Sequence, residues 1–134
     1  MIECYGIIPL QGTQTTTPQV FLIQRTEGFW EFPKGHKEEG ESHFAAAERE
    51  LLEETGFTLS RLLSDEPLFH EYHFTRDNVT FDKRVTFFLA EVKGKIQLQP
   101  EEVKDGGWFS FEEARQRLTF ESSRLLLDEV AQRV

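Results

Sequence analysis

Three glutamates, Glu50, Glu53 and Glu54, stand at i, i+3 and i+4 within residues 35–57, GHKEEGESHFAAAERELLEETGF. A helix through them places all three carboxylates within one arc of its surface. Like charges so placed repel by about a few tenths of a kcal/mol per pair in an exposed helix. A hard divalent cation such as Mg²⁺ offsets that repulsion, because it takes carboxylate oxygens and keeps waters that a phosphate can replace. The competing explanation is a solvated face, the usual fate of a charge run. Arg49 suits the task of orienting one of these carboxylates. Lys34, just ahead of Gly35, either neutralises a phosphate or is an ordinary surface lysine.

The elements that must position these groups follow from pattern. Ser42 is an N-cap candidate and Gly56 a left-handed C′ residue, so the helix runs from near Glu41-Ser42. Phe44, Ala45, Leu51 and Leu52 form its apolar side, and Glu48 falls toward that side. Before it, Ile2–Leu10 reads as a strand, Gln11–Pro18 as a turn and Val20–Gln24 as a second strand, joined as a hairpin. Trp30 and Phe32 alternate outward and inward ahead of Pro33, with Phe32 in the core. Gly35 permits a sharp turn that brings its carbonyl toward the helix. His36 is either a ligand or a loop histidine held by local hydrogen bonds.

After a polar linker at Ser60–Pro67, Leu68–Thr75 alternates as a strand, Arg76-Asp77-Asn78 turns, and Val79–Phe81 with Arg84–Val92 return. Tyr72, Phe74 and Phe81 are core or cross-strand residues, and one of them is a candidate to stack on a nucleobase. Lys83 either reaches phosphate or guards a strand edge. Gly94–Asp105 is a charged loop, solvated or a source of one more carboxylate as ligand or base. Ser110-x-x-Glu113 opens a helix over Phe111–Leu118, and Glu121–Val134 forms a last helix with Leu125, Leu126, Val130 and Ala131 inward.

The 134 residues, expected as one domain over 1–134, can bury about two-thirds of their unfolded surface. A net charge of −9 argues against nonspecific binding to nucleic acid. A polyanion must then be received locally, by a metal and a few placed cations. The single cysteine, Cys4, forms no internal disulfide and fits a reducing cytosol. The N-terminus lacks the positive charge of a secretory signal, and no apolar run is long enough for a membrane span. A soluble, cytoplasmic protein is expected.

Gly35, Glu41, Arg49-Glu50-Leu51, Glu53-Glu54 and Gly56-Phe57 fill every fixed position of G-x5-E-x7-R-E-U-x-E-E-x-G-U, with U apolar. This resembles the Nudix box, the signature of hydrolases that cleave nucleoside diphosphates linked to another group. Tyr5-Gly6-Ile7-Ile8, Trp30-x-Phe32-Pro33-Lys34-Gly35-His36, Phe88-Leu89-Ala90-Glu91-Val92, and Glu102 six residues before Trp108 are similar to the asymmetric diadenosine tetraphosphate hydrolase branch. The resemblance implies an α+β fold, an α/β/α sandwich with a mixed β-sheet, in which the box forms a loop-helix-loop. It implies that Glu50, Glu53, Glu54 and Glu102, with the Gly35 carbonyl, hold Mg²⁺, with Mn²⁺ as a substitute. Lys34 and Lys83 match polyphosphate contacts, beside His36, and Glu54 or Glu102 helps deprotonate the attacking water. The implied catalytic set is Glu50, Glu54, Glu102 and Arg49. Diadenosine tetraphosphate would give ATP and AMP, and the expected partner is a small nucleotide polyphosphate met by a monomer or weak dimer. Phe29 and Gly106 depart from the branch, which leaves base recognition to Tyr72, Phe74 or Phe81. Other outcomes are an RNA 5′-pyrophosphohydrolase, a nucleotide sanitiser and a sensing module without turnover.

Overall fold

The computed structural model describes residues 1–134. Eight strands and three helices follow in the order β1 (Ile2–Gln11), β2 (Gln19–Arg25), β3 (Trp30–Glu31), β4 (Lys34–Gly35), α1 (His43–Thr55), β5 (Thr58–Leu62), β6 (Leu68–Arg76), β7 (Val79–Lys93), β8 (Val103–Ser110), α2 (Phe111–Arg117) and α3 (Glu121–Arg133). The strands form one mixed sheet in the order β3-β2-β1-β7-β5, with β4 added to β1, β6 to β7 and β8 to β2. The spine is the parallel pairing of β1 with β7, from Ile2↔Lys83 to Leu10↔Glu91. Every other pairing is antiparallel.

Alternation along the strands divides the core between two faces. Cys4, Ile8 and Leu10 of β1 and Val20 and Leu22 of β2 pack under Ala114, Leu118, Leu126, Leu127 and Val130 of the C-terminal helical region. Tyr5, Ile7, Phe21 and Ile23 face the other way, against Ala46, Ala47 and Leu51 of α1. The result is the expected sandwich of helices on both faces of a mixed sheet. No helix is long and apolar enough to cross a membrane.

β1 and β2 pair only at Leu10↔Val20 and Gln11↔Gln19. Beyond that they part, and the two-residue β4 docks on β1 through Tyr5↔Gly35 and Gly6↔Lys34. This sets Lys34 and Gly35 against α1. The helix opens as its sequence requires: Ser42 Oγ accepts from Ala45 N at 3.1 Å. It ends on Gly56 at φ 83°, whose N–H donates to the Leu52 carbonyl at 2.9 Å.

The capping box at Ser110 is present with both of its hydrogen bonds. The β6–β7 turn places Asp77 and Asn78 at φ 53° and 64°, the two positive values that a tight two-residue hairpin needs.

Several expectations need correction. Ser60–Pro67 is not wholly a linker, because β5 runs to Leu62 as an exposed edge strand with no buried alternation to betray it. The returning strand is one piece, Val79–Lys93, since Asp82 and Lys83 continue its pairing with β6. The loop expected at Gly94–Asp105 already enters β8 at Val103. Leu52 is 51% exposed; Leu51 alone of the pair turns inward, with Ala46 and Ala47 on the same side. Glu48 is exposed, so it does not lie on the apolar side. In α3, Leu125 and Ala131 face solvent, and Leu127 takes the inward position beside Leu126 and Val130.

The contrast between adjacent leucines is testable. Leu51→Ala should lower the unfolding free energy by about 2–5 kcal/mol in urea denaturation, from lost burial and a residual cavity. Leu52→Ala should change it by less than about 0.5 kcal/mol.

Candidate active site

Helix α1 presents its glutamates at three depths. Glu54 is 1% exposed, the Glu50 side chain 13% and the Glu53 side chain 44%. Glu50 packs on β4 at Gly35: a Cβ there would overlap the Glu50 carboxyl group and push that side chain aside.

Two arginines hold the carboxylates. Arg49 donates to Glu41 at 2.8 and 3.0 Å, to Glu50 at 2.9 Å, to Glu53 at 3.2 Å and to the His36 carbonyl at 2.8 Å. Arg49 thus bridges Glu50, Glu53 and the loop ahead of the helix. Arg25 was not anticipated. From the end of β2 it donates to Glu31 at 2.9 Å, to Glu54 at 2.6 Å and to the Lys34 carbonyl at 3.1 Å. Glu54 also accepts from the Lys34 amide at 3.0 Å, and the Lys34 ammonium lies 3.1 Å from Glu31. The available signal for Arg25 and Glu31 was a charge at the end of an apolar strand and another inside an aromatic run, FWEF.

The surroundings tune these groups. Burial pushes the Glu54 carboxyl up to about 7 despite the Arg25 guanidinium, and Glu50 adds to the rise. Burial also raises Glu50 against the pull of Arg49, with Glu53 and Glu102 assisting. Burial works to raise Glu31, but Lys34 and Arg25 outweigh it and hold the carboxyl below the usual range. Lys83 is pushed down by burial and by the neighbouring Lys34 ammonium.

A cleft of about 380 Å³ collects most of the expected residues: Lys34, Gly35, His36, Arg49, Glu50, Glu54, Lys83 and Glu102 line it, with Cys4, Arg25, Lys37 and Glu38. Five of its side chains are lysine or arginine and four are glutamate, so a chain of net charge −9 concentrates cations here. His36 Nδ1 lies 3.8 Å from Cys4 Sγ. Glu102 is largely exposed, 3.9 Å from Arg25. Glu53 stays outside the cleft on Arg49, and no three acidic or histidine side chains converge on one metal-sized point.

The aromatic candidates separate. Tyr72 borders a smaller recess that Lys34 also lines, and Lys83 Nζ lies 5.9 Å from its ring centroid. Phe74 and Phe81 stack on each other at 5.2 Å toward the hairpin end.

Residues 4–128 match the NUDIX domain family. The chain belongs to the Nudix family. It is a Nudix hydrolase, and its relatives narrow the chemistry. It is 34% identical over 119 residues to the bis(5′-nucleosyl)-tetraphosphatase (asymmetrical) of Rattus norvegicus, covering 85% of this chain and 79% of that one. It is 42% identical over 84 residues to the RNA pyrophosphohydrolase of Helicobacter pylori strain G27, covering 58% of this chain and 54% of the relative. Among solved structures, an Ap4A hydrolase binary complex from C. elegans superposes with a TM-score of 0.75 at 19% identity, covering 98% and 96% of the two chains. At that identity the likeness speaks for the fold.

Nudix hydrolases generally use a divalent metal such as Mg²⁺. The donors suit such an ion in kind: Glu50, Glu54 and Glu102 bring hard carboxylate oxygens to one cleft beside Gly35.

A pH prediction follows from Glu54. Its folded pKa, near 7, lies above its unfolded value of 4.5. The fold thus favours the protonated acid, and that contribution is present below about pH 4.5 and is lost as pH rises through 7. In chelator, the wild type should lose stability relative to Glu54→Gln between pH 5 and 8, by at most about 3 kcal/mol. Urea titrations of the two proteins across that range check it; parallel curves would refute the assignment.

Proposed function

We propose that this Nudix hydrolase cleaves dinucleoside polyphosphates, cutting diadenosine tetraphosphate asymmetrically into ATP and AMP. What carries the reading is the cleft, in which Lys34 and Lys83 flank Gly35, Glu50 and Glu54 within an otherwise acidic protein. The relative with the same asymmetric activity in its name aligns over 85% of the chain, whereas the RNA pyrophosphohydrolase aligns over 58%.

Glu50, Glu53, Glu54 and Glu102, with the Gly35 carbonyl, would hold Mg²⁺ or Mn²⁺. The ion, when bound, polarises phosphoryl oxygens, lowers the pKa of bound water and neutralises the leaving phosphate. The chain's own groups do the rest. Lys34 and Lys83 bind the polyphosphate, His36 borders its path, and Arg49 fixes Glu50. Arg25 aims Glu54, a buried carboxylate placed to take a proton. Water adds to one phosphorus as the bridging P–O bond on its far side breaks. The water's proton passes to Glu54, and the leaving phosphate keeps the electron pair. Glu102, largely exposed and without a comparable partner, is the weaker candidate for that proton.

The test is chromatographic product analysis with Mg²⁺ and a panel of diadenosine tri-, tetra- and pentaphosphate, 5′-triphosphorylated RNA, ADP-ribose and oxidised dGTP. ATP plus AMP from the tetraphosphate, at the fastest rate in the panel, is expected. Faster pyrophosphate release from RNA or dGTP would overturn the substrate class. Glu54→Gln should lower kcat by about 10²–10⁴-fold while the fold is retained. A chelator should abolish turnover, and added Mg²⁺ should restore it.

A further inference from the structure

Three side-chain polar atoms sealed from water lack a hydrogen-bond partner: His70 Nε2, Arg84 Nε and Gln99 Oε1. Arg84 has its charge met in other ways, with Glu71 at 3.7 Å and its guanidinium 4.4 Å from the Phe69 ring centroid. Gln99 sits in a tight turn, where its own backbone carbonyl accepts from Glu102 and Val103. His70 differs because it lines a recess. A buried nitrogen without a partner costs the folded chain its hydration, and such atoms call for an explanation.

The recess lies between the β6–β7 hairpin and the start of α3. His70 and Tyr72 form one side, and Phe120, Ser122 and Ser123 another. The His70 and Tyr72 rings stack at 5.5 Å and 30°. Phe120, 41% exposed, stands at the mouth. Lys34 lines both this recess and the polyphosphate cleft, so the two adjoin at its side chain. A nucleotide whose phosphate lay on Lys34 would have this recess beside it for its base. The free volume is about 30 Å³, roughly that of two waters at about 10–15 Å³ each. That admits the polar edge of a planar base and excludes the whole ring.

We propose that His70 is a specificity-determining residue: its Nε2 hydrogen-bonds the edge of a nucleobase that lies between Tyr72 and Phe120, with Ser122 and Ser123 bounding the pocket for that edge. The inference rests on the nucleotide-polyphosphate reading above and adds the group that reads the base. Burial pushes the His70 pKa down, so the ring is neutral near pH 7 and offers Nε2 as donor or acceptor according to tautomer. The aromatic walls supply stacking, which tolerates any base; His70 supplies discrimination.

The experiment uses the full chain with Mg²⁺ and two probes, AMP and ribose 5-phosphate, which differ only by the base. Binding is measured by calorimetry. The His70 ring nitrogens are followed by ¹⁵N NMR, assigned by their absence from His70→Phe or His70→Gln. AMP should bind the wild type about 10-fold tighter than ribose 5-phosphate and shift the His70 Nε2 signal, whereas ribose 5-phosphate should leave that signal in place. His70→Phe should lose most of the preference while holding ribose 5-phosphate as before.

Equal binding of the two probes, an unmoved Nε2 signal under saturating AMP, or a preference intact in His70→Phe would each overturn the proposal. If His70→Phe does not fold, the wild-type signal decides alone. Turnover of diadenosine tetraphosphate on the same sample keeps the outcomes apart: turnover without base preference removes only the role of His70. No turnover of any polyphosphate and no AMP binding would remove the hydrolase reading, and this inference with it.

Discussion

The Arg25 guanidinium is the contact on which the site's geometry depends. It sits where β2 leaves its regular register against β8, between Gln24 and Arg25. From there it joins Glu31 of β3, the carbonyl of Lys34 in β4 and Glu54 of α1. One side chain thus links three strands to the helix that carries the box. Buried ion pairs are weak evidence for net stability, because desolvation consumes most of the attraction. Arg25 is better understood as a fixture of position: it sets where the Glu54 oxygens point and where β4 lies. With Lys34 and Glu31 it completes a cluster of two basic and two acidic side chains behind the cleft.

That arrangement reconciles a strongly acidic chain with an anionic substrate. The net charge of −9 opposes a polyanion, and the cleft gathers five lysine and arginine side chains to receive one. Lys34 and Lys83 are anchored in strands on either side of β1, through Gly6↔Lys34 and Ile2↔Lys83, so their spacing is set by sheet geometry. Burial and the Lys34 ammonium lower the affinity of Lys83 for a proton there, and a phosphate between the two lysines would relieve that repulsion.

Much of this was legible in the chain itself, and the gaps have physical causes. The box helix, its two caps, the β6–β7 turn and the Ser110 capping box are local, written in residues a few positions apart, and all stand where pattern put them. Leu52, Leu125 and Ala131 went astray because paired apolar residues on a helix leave its rotation ambiguous by one position, about 100°. β5 was missed because an exposed edge strand carries no buried alternation. Arg25 and Glu31 were missed because their roles are set by partners 29 and 6 residues away, which no periodicity encodes. The same holds for His70, whose recess exists only once α3 has packed over β6.

The parallel ladder between β1 and β7 also governs how the molecule comes to exist. Residues 2–10 must find residues 83–91, closing a loop that contains the entire box. β4 docks on β1, so the seat of Lys34 and Gly35 exists only after β1 has its place in the sheet. Contacts so distant along the chain pay their closure entropy before they return any energy, and folds dominated by them are slow to form. During synthesis the helix can coil as soon as it emerges, yet the cleft waits until the last third of the chain has been made. The box glutamates are thus written early in the sequence and assembled late.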